Sequence, residues 1–315
     1  NAHEAIRLTH KHGNNSLDYI FIVAAADGRG AVTDVGDVEV HVLRANFQGV
    51  LGGNLTLMGV ANVDGCGSTA ANTCAGRDNN IFTFGVRQAG NLFGIDYRGE
   101  YYHQSGDATA DAQLQDTGAT FGKFDYTAAG GSNAQVDRDA YMFGVRIGKK
   151  FSNVAMKPSL TIWYDQLSGT DDSDLAGNDY GTFNTLFDTG HKFYGHMDLF
   201  LSNVNHGTEG LGLIDLAVKG SLQPMPGWTL KAAMHWFKTD TDPGSNQFMA
   251  SQDVPSSVDD DLGTEFDLAL INKYNANTTL SVGWSQFAAD RLFLLQTVQE
   301  AADANVNTAN WIYVQ

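Results

Sequence analysis

Apolar and polar side chains alternate with a period of two in one stretch after another of this chain, and that pattern restricts it to folds built of two-sided strands. The stretch from Phe183 to Phe200, FNTLFDTGHKFYGHMDLF, shows it most fully. From Lys192 onward, Phe193, Gly195, Met197, Leu199 and Leu201 stand against Lys192, Tyr194, His196, Asp198 and Phe200. A helix would repeat near 3.6, so this reads as a strand with one oily and one ionised face, and as the strand around which the rest is organised. The same reading fits Ile6 and Leu8 against Arg7, Thr9 and Lys11, and Phe82, Phe84 and Val86 against Thr83, Gly85 and Arg87. It fits Tyr141, Phe143 and Val145 against Met142, Gly144 and Arg146, and Leu160, Ile162 and Tyr164 against Lys157, Thr161, Trp163 and Asp165. Further on, Leu216 and Val218 oppose Asp215 and Lys219, Trp236 and Met234 oppose His235 and Lys231, and Leu280 and Val282 oppose Ser281 and Gly283. In 38–47 the alternation falters at Leu43 and Arg44, which reads as a bulge. Fourteen such strands are assigned across the chain.

Nothing in the sequence provides a separate core for so many strands. In a sandwich the oily faces would meet each other; in a membrane barrel they would face lipid while the polar faces line a lumen. Aromatics gather near strand ends, short turns alternate with long links, and nearly every strand carries charge on its polar side. The expected fold is all-β: a closed antiparallel transmembrane β-barrel, with 14 strands assigned here and about 16–18 in the complete protein. Residues 1–315 then form one outer-membrane barrel domain lacking part of both ends, with 106–136 as a long polar loop. One feature conflicts with this count. If 192–200 is a crossing, the short turns at 151–153 and 224–227 fall on opposite ends of the barrel.

With 35 glycines, 5 prolines and 11% aromatics the composition suits strands and turns, and no apolar run reaches the length of a spanning helix. The net charge of -17 excludes binding nucleic acid through the surface as a whole. Cys66 and Cys74, in DGCGSTAANTCAG, are too few for a metal centre and read as a loop disulfide formed in an oxidising compartment.

The C-terminal half resembles the alginate-export family of bacterial outer-membrane proteins. The resemblance lies in Phe183–Leu186 with His191, Lys192, Phe193, Gly195, Asp198, Leu199 and Phe200; in Gly212, Leu213, Asp215 and Leu216; in Trp228, Leu230, His235 and Phe237; and in Trp311 and Gln315. It covers about residues 79–315. It implies a monomeric outer-membrane channel, and in the family's characterised branch an anionic polysaccharide leaving through a lumen rich in arginine and lysine. The family-motif positions here are His191, Lys192, Gly195, Asp198, Asp215 and His235.

On the sides assigned to the interior, the basic residues are Arg7, Lys11, Arg87, Arg98, Arg146, Lys157, Lys192, Lys219 and Lys231. The acidic ones are Asp18, Asp96, Glu100, Asp165, Asp198, Asp215, Glu265 and Asp267. That lumen is close to neutral, unlike a strongly basic exporter, and the acid surplus belongs to the loops. Two readings follow: the charges pair into cross-strand ladders, or a few arginines stay unpaired and draw in an anionic solute. No nucleophile, base and acid have a workable spacing; His103 and Ser105 lack an identifiable acid, so the chain is not read as an enzyme. No metal site is assigned and no cofactor is expected. The acidic runs Asp171, Asp172, Asp174 and Asp259, Asp260, Asp261 are weak candidates for Ca²⁺ or for Ca²⁺ bridges to lipopolysaccharide, against a plain solvated loop. The expected function is an outer-membrane channel passing a polar, anionic solute or polysaccharide. The alternative is a scaffold or sheath for a periplasmic or outer-membrane protein partner.

Overall fold

A computed structural model describes residues 4–25, 38–64, 80–109, 135–186, 193–200, 208, 210–243, 258–298 and 307–315. The strands are β1 (Glu4–His12), β2 (Asn15–Ala25), β3 (Val38–Val50), β4 (Gly53–Asp64), β5 (Ile81–Leu92), β6 (Ile95–Thr109) and β7 (Gln135–Lys150). They continue as β8 (Ser159–Leu167), β9 (Asp179–Tyr180), β10 (Leu213–Leu222), β11 (Trp228–Lys238), β12 (Asp261–Lys273), β13 (Thr279–Ala289) and β14 (Thr308–Val314). Two short helices, α1 (Asp172–Gly177) and α2 (Arg291–Val298), lie in the connections.

These strands form one 14-stranded sheet, each pairing antiparallel with the next in chain order, except that β8 pairs β10 and the two-residue β9 pairs β7 in parallel. The sheet is not closed: its order begins at β1 and ends at β14, and these two are not paired with each other. The expectation of a closed barrel is therefore corrected. Alternation along a strand decides which face each side chain takes, but closure requires a register between the first and last strands, which alternation does not encode.

The organising strand is corrected too. Among the described residues, 181–186 and 193–200 contain no strand. Leu186, Tyr194, Gly195 and Asp198 all have positive φ, which breaks an extended run. There is also no neighbour for such a strand, because β8 and β10 pair directly from Leu167↔Leu213 to Ser159↔Ser221. This removes the conflict of turn ends. With only β8 and β10 between them, 151–158 and 223–227 lie at the same end as the turns at 13–14, 51–52, 93–94 and 274–278. All the long connections leave from the other end. The bulge expected at Leu43 and Arg44 is absent, since both pair in regular register; irregularities fall instead between Val23/Ala25, Gln48/Val50 and Phe237/Lys238.

The two faces differ as the alternation requires. One is bare and apolar: Phe82, Phe84, Phe143, Leu160, Leu216 and Leu280 are all exposed there. The other, called the inner face here, carries Glu100, Arg146, Asp165, Asp215, His235, Glu265 and Asp267, all buried. A cavity of about 270 Å³ touches both Met58 on β4 and Asp165 on β8. Four strand spacings separate those strands, ~19 Å on a flat sheet, so the inner face is concave there.

Candidate functional site

The site is built on this inner face and closed by the chain itself. Two described stretches of the β8–β10 connection, 181–186 and 193–200, lie against it. At one point the Gln104 amide on β6 donates to the Asn184 carbonyl (2.7 Å) and accepts from the Asn184 N–H (2.8 Å). At another, the Glu265 carboxylate on β12 accepts the backbone N–H groups of His196 (2.6 Å) and Met197 (2.9 Å). Gly195 sits directly over that carboxylate, where a Cβ would come within 2.5 Å of its carbon, and its φ of 85° also suits glycine. Toward the end with the long connections, Phe200 packs on Phe237 (ring centroids 4.5 Å apart), Phe287 and Phe293, giving the covering stretch an apolar anchor.

Beneath the stretch runs a row of charges on β5 to β8. Arg146 donates to Glu100 (2.9 Å) and to both oxygens of Asp165 (2.8 and 3.1 Å), and its guanidinium lies 3.5 Å over the Trp163 ring. Arg98 donates to Glu100, and Arg87 stands 3.8 Å from the same carboxylate. A three-arginine, two-carboxylate network results, and it follows the ladder reading. At the edge of the sheet Arg7 likewise pairs with Asp18 (2.8 Å).

Lys219 and Lys231 differ. They line a cavity of about 300 Å³ on β8 and β10–β12, together with Trp163, Gly195, His196 and the hydroxyls of Ser159 and Ser221. The Lys219 ammonium lies 4.0 Å over the Trp163 ring, and among the described residues neither lysine has a carboxylate within ion-pair distance. In register, Lys219 faces Ala233 and Lys231 faces Ser221, so the two are diagonal neighbours on one face. His235 and Asp267 line the same cavity: His235 binds Asp215 through Nδ1 (2.9 Å) and turns Nε2 toward Asp267 (3.8 Å), whose other oxygen accepts from Ser285 (2.6 Å).

The remaining expected residues scatter. Lys157 is exposed in the 151–158 turn with φ 44°, and Asp198 belongs to the covering stretch and not to the wall. Asp96, near the turn at 93–94, accepts from Asn91 (2.7 Å). His191, Lys192, Cys66 and Cys74 lie outside the described residues. The long connections carry the acidic runs. Asp171 accepts the Ser173 hydroxyl (2.6 Å) and the Ser173 and Asp174 N–H groups as the cap of α1, which holds its carboxyl below the usual range. Asp260 and Asp261 both pair with Lys238 at 3.0 Å. His103 stands 3.7 Å from Asp139, and among the described residues no hydrogen bond joins it to Ser105. Sequence reasoning missed Gln104 and gave Glu265 no role; an amide facing inward from a strand is the one available signal for the former. It also missed Gly85 and Gly283, each of which lies under a tyrosine ring.

The sheet thus sets an apolar bare face opposite a charged, cavity-bearing one. The family model described as alginate export matches residues 62–307, and the chain belongs to that family. The family is one of outer-membrane transport and not of catalysis. No curated protein sequence matches the chain. Among solved structures it is similar to the crystal structure of Acinetobacter baumannii OccAB1, at 14% identity and a TM-score of 0.45. The match covers 98% of this chain and 65% of that one, so this chain spans just under two thirds of that protein's length.

Proposed function

We propose that the inner face passes a polar, anionic solute or polysaccharide across the outer membrane, and that Lys219 and Lys231 are the cations that meet it. The observation behind this is the contrast between the two basic groups. Arg98 and Arg146 are taken up by Glu100 and Asp165, whereas neither lysine has a carboxylate within ion-pair distance among the described residues, Asp267 lining their cavity at longer range. A solute carboxylate entering there gains two ammonium groups, with one hydroxyl of the hydrogen-bonded Ser159–Ser221 pair (2.7 Å) as a further donor. The face is covered by the chain's own 181–186 and 193–200, which favours passage over a sheath wrapped around a partner protein.

Reversal potentials in planar bilayers under a KCl gradient test this. Anion preference is expected, reduced by Lys219→Gln with Lys231→Gln, and weaker at high salt because mobile ions screen the site. A cation-selective wild type, or a preference untouched by the double substitution, would reject the assignment.

A further inference from the structure

Lys219 has a carboxylate within side-chain reach and turns away from it. In register Lys219 faces Ala233, and Ala233 in turn faces Asp267, so the aspartate lies two strands across on the same face. Two strand spacings are roughly 10 Å, and only an alanine side chain stands between, a gap that an extended lysine and an aspartate can bridge. Asp267 instead accepts the Ser285 hydroxyl (2.6 Å) and faces the ring nitrogens of His235 (3.8 Å) and His196 (4.0 Å).

The ammonium goes the other way, to Trp163 on β8, and sits 4.0 Å from the ring centroid. The Arg146 guanidinium reaches the same ring from β7, at 3.5 Å. β7 and β10 flank β8, so the indole stands between the two cations. Phe193 of the covering stretch meets Trp163 edge to face, with centroids 5.9 Å apart at 66°, and braces the ring from above the wall.

We infer that Trp163 is a positioning residue for anion passage: its indole fixes the Lys219 ammonium at the cavity through a cation–π contact that leaves the charge uncancelled. This deepens the proposed function and rests on its reading of Lys219 as a cation that meets the solute. A carboxylate would hold the lysine too, but would neutralise it, as Glu100 and Asp165 do for Arg146. An aromatic face attracts a cation through its quadrupole and carries no net charge, so the field of the ammonium persists beyond the contact. Without the ring, the shortest route to a partner is across Ala233 to Asp267. Lys219 would then pair with an acid and stop acting on mobile anions.

Two measurements on the full chain separate the contact from its consequence. In detergent, reductive methylation with ¹³C-formaldehyde keeps lysines cationic and makes each visible by NMR. The Lys219 methyl signal, assigned by its loss in Lys219→Gln, should lie upfield through the ring current of Trp163, return to the ordinary position in Trp163→Leu and stay upfield in Trp163→Phe. The wild-type shift does not depend on the leucine variant folding. In planar bilayers under a KCl gradient, Trp163→Leu should cut the anion preference as far as Lys219→Gln does, and Trp163→Phe should keep it. Adding Asp267→Asn to Trp163→Leu should bring the preference back to that of Asp267→Asn alone, because the freed lysine then has no acid to pair with. An unshifted Lys219 signal, or a shift that survives Trp163→Leu, overturns the inference. Anion preference intact in Trp163→Leu rejects the role of Trp163 and leaves the proposed function standing. A ring-shifted Lys219 in a wild type without anion preference upholds the contact and rejects the proposed function.

Discussion

Gln104 and Asn184, eighty positions apart, hold each other through two hydrogen bonds that use both ends of the side-chain amide. The glutamine is fully buried and the asparagine contributes only backbone, so a strand side chain clamps a loop as a neighbouring strand would. Gln104→Ala should leave the Asn184 carbonyl and N–H without this partner, a cost of about 1–3 kcal/mol to the local fold. Hydrogen exchange should speed up at Asn184 and its neighbours while the sheet amides keep their protection. Unchanged exchange at Asn184 would show that the clamp does not hold the stretch.

Arg146 lies between Glu100 and Asp165, and all three are buried. Arg146→Met should destabilise the sheet by about 3–5 kcal/mol, because it strands Asp165 away from water without its cation, while Glu100 keeps Arg98 and Arg87. Adding Asp165→Asn should recover much of that loss. Denaturant unfolding in detergent measures both; a single substitution as stable as the wild type would contradict the network.

Asp174 lies in the first turn of α1, and burial, with Asp171, Asp179 and Asp139 nearby, raises its carboxyl from 3.8 to about 6. A carboxyl raised on folding binds a proton in the native state first. The local arrangement is therefore most stable below about pH 4 and loses stability as pH climbs through about 6. Asp174→Asn should flatten that dependence while still accepting the Asp171 N–H, which Asp174 takes at 2.9 Å. A carboxyl titration by NMR with a midpoint near 4 would refute the shift.

Phe84, Leu160 and Leu280 are between half and two thirds exposed on the bare face. In an outer-membrane protein such a face belongs against lipid. Cysteines placed there should resist a membrane-impermeant thiol reagent in intact membranes, while one at exposed Tyr274, in the 274–278 turn, should react in solubilised protein. Ready labelling of the bare-face positions in intact membranes would show that this face meets water.

By itself the sequence determined the strands and their faces. Each of β5, β7, β8, β10 and β13 puts its expected apolar set outside, because a period of two leaves no other choice once a strand forms. Tertiary structure decided everything that depends on who pairs with whom. The 193–200 stretch alternates as well as any strand, yet β8 and β10 take each other, and Phe193, Tyr194 and Phe200 are instead packed against the wall. It decided that β1 and β14 do not meet, since closure is a long-range register. It also decided which cations are engaged: Arg146 and Lys219 look alike in sequence, and only the register with Glu100 and Asp165 neutralises one and leaves the other facing a cavity.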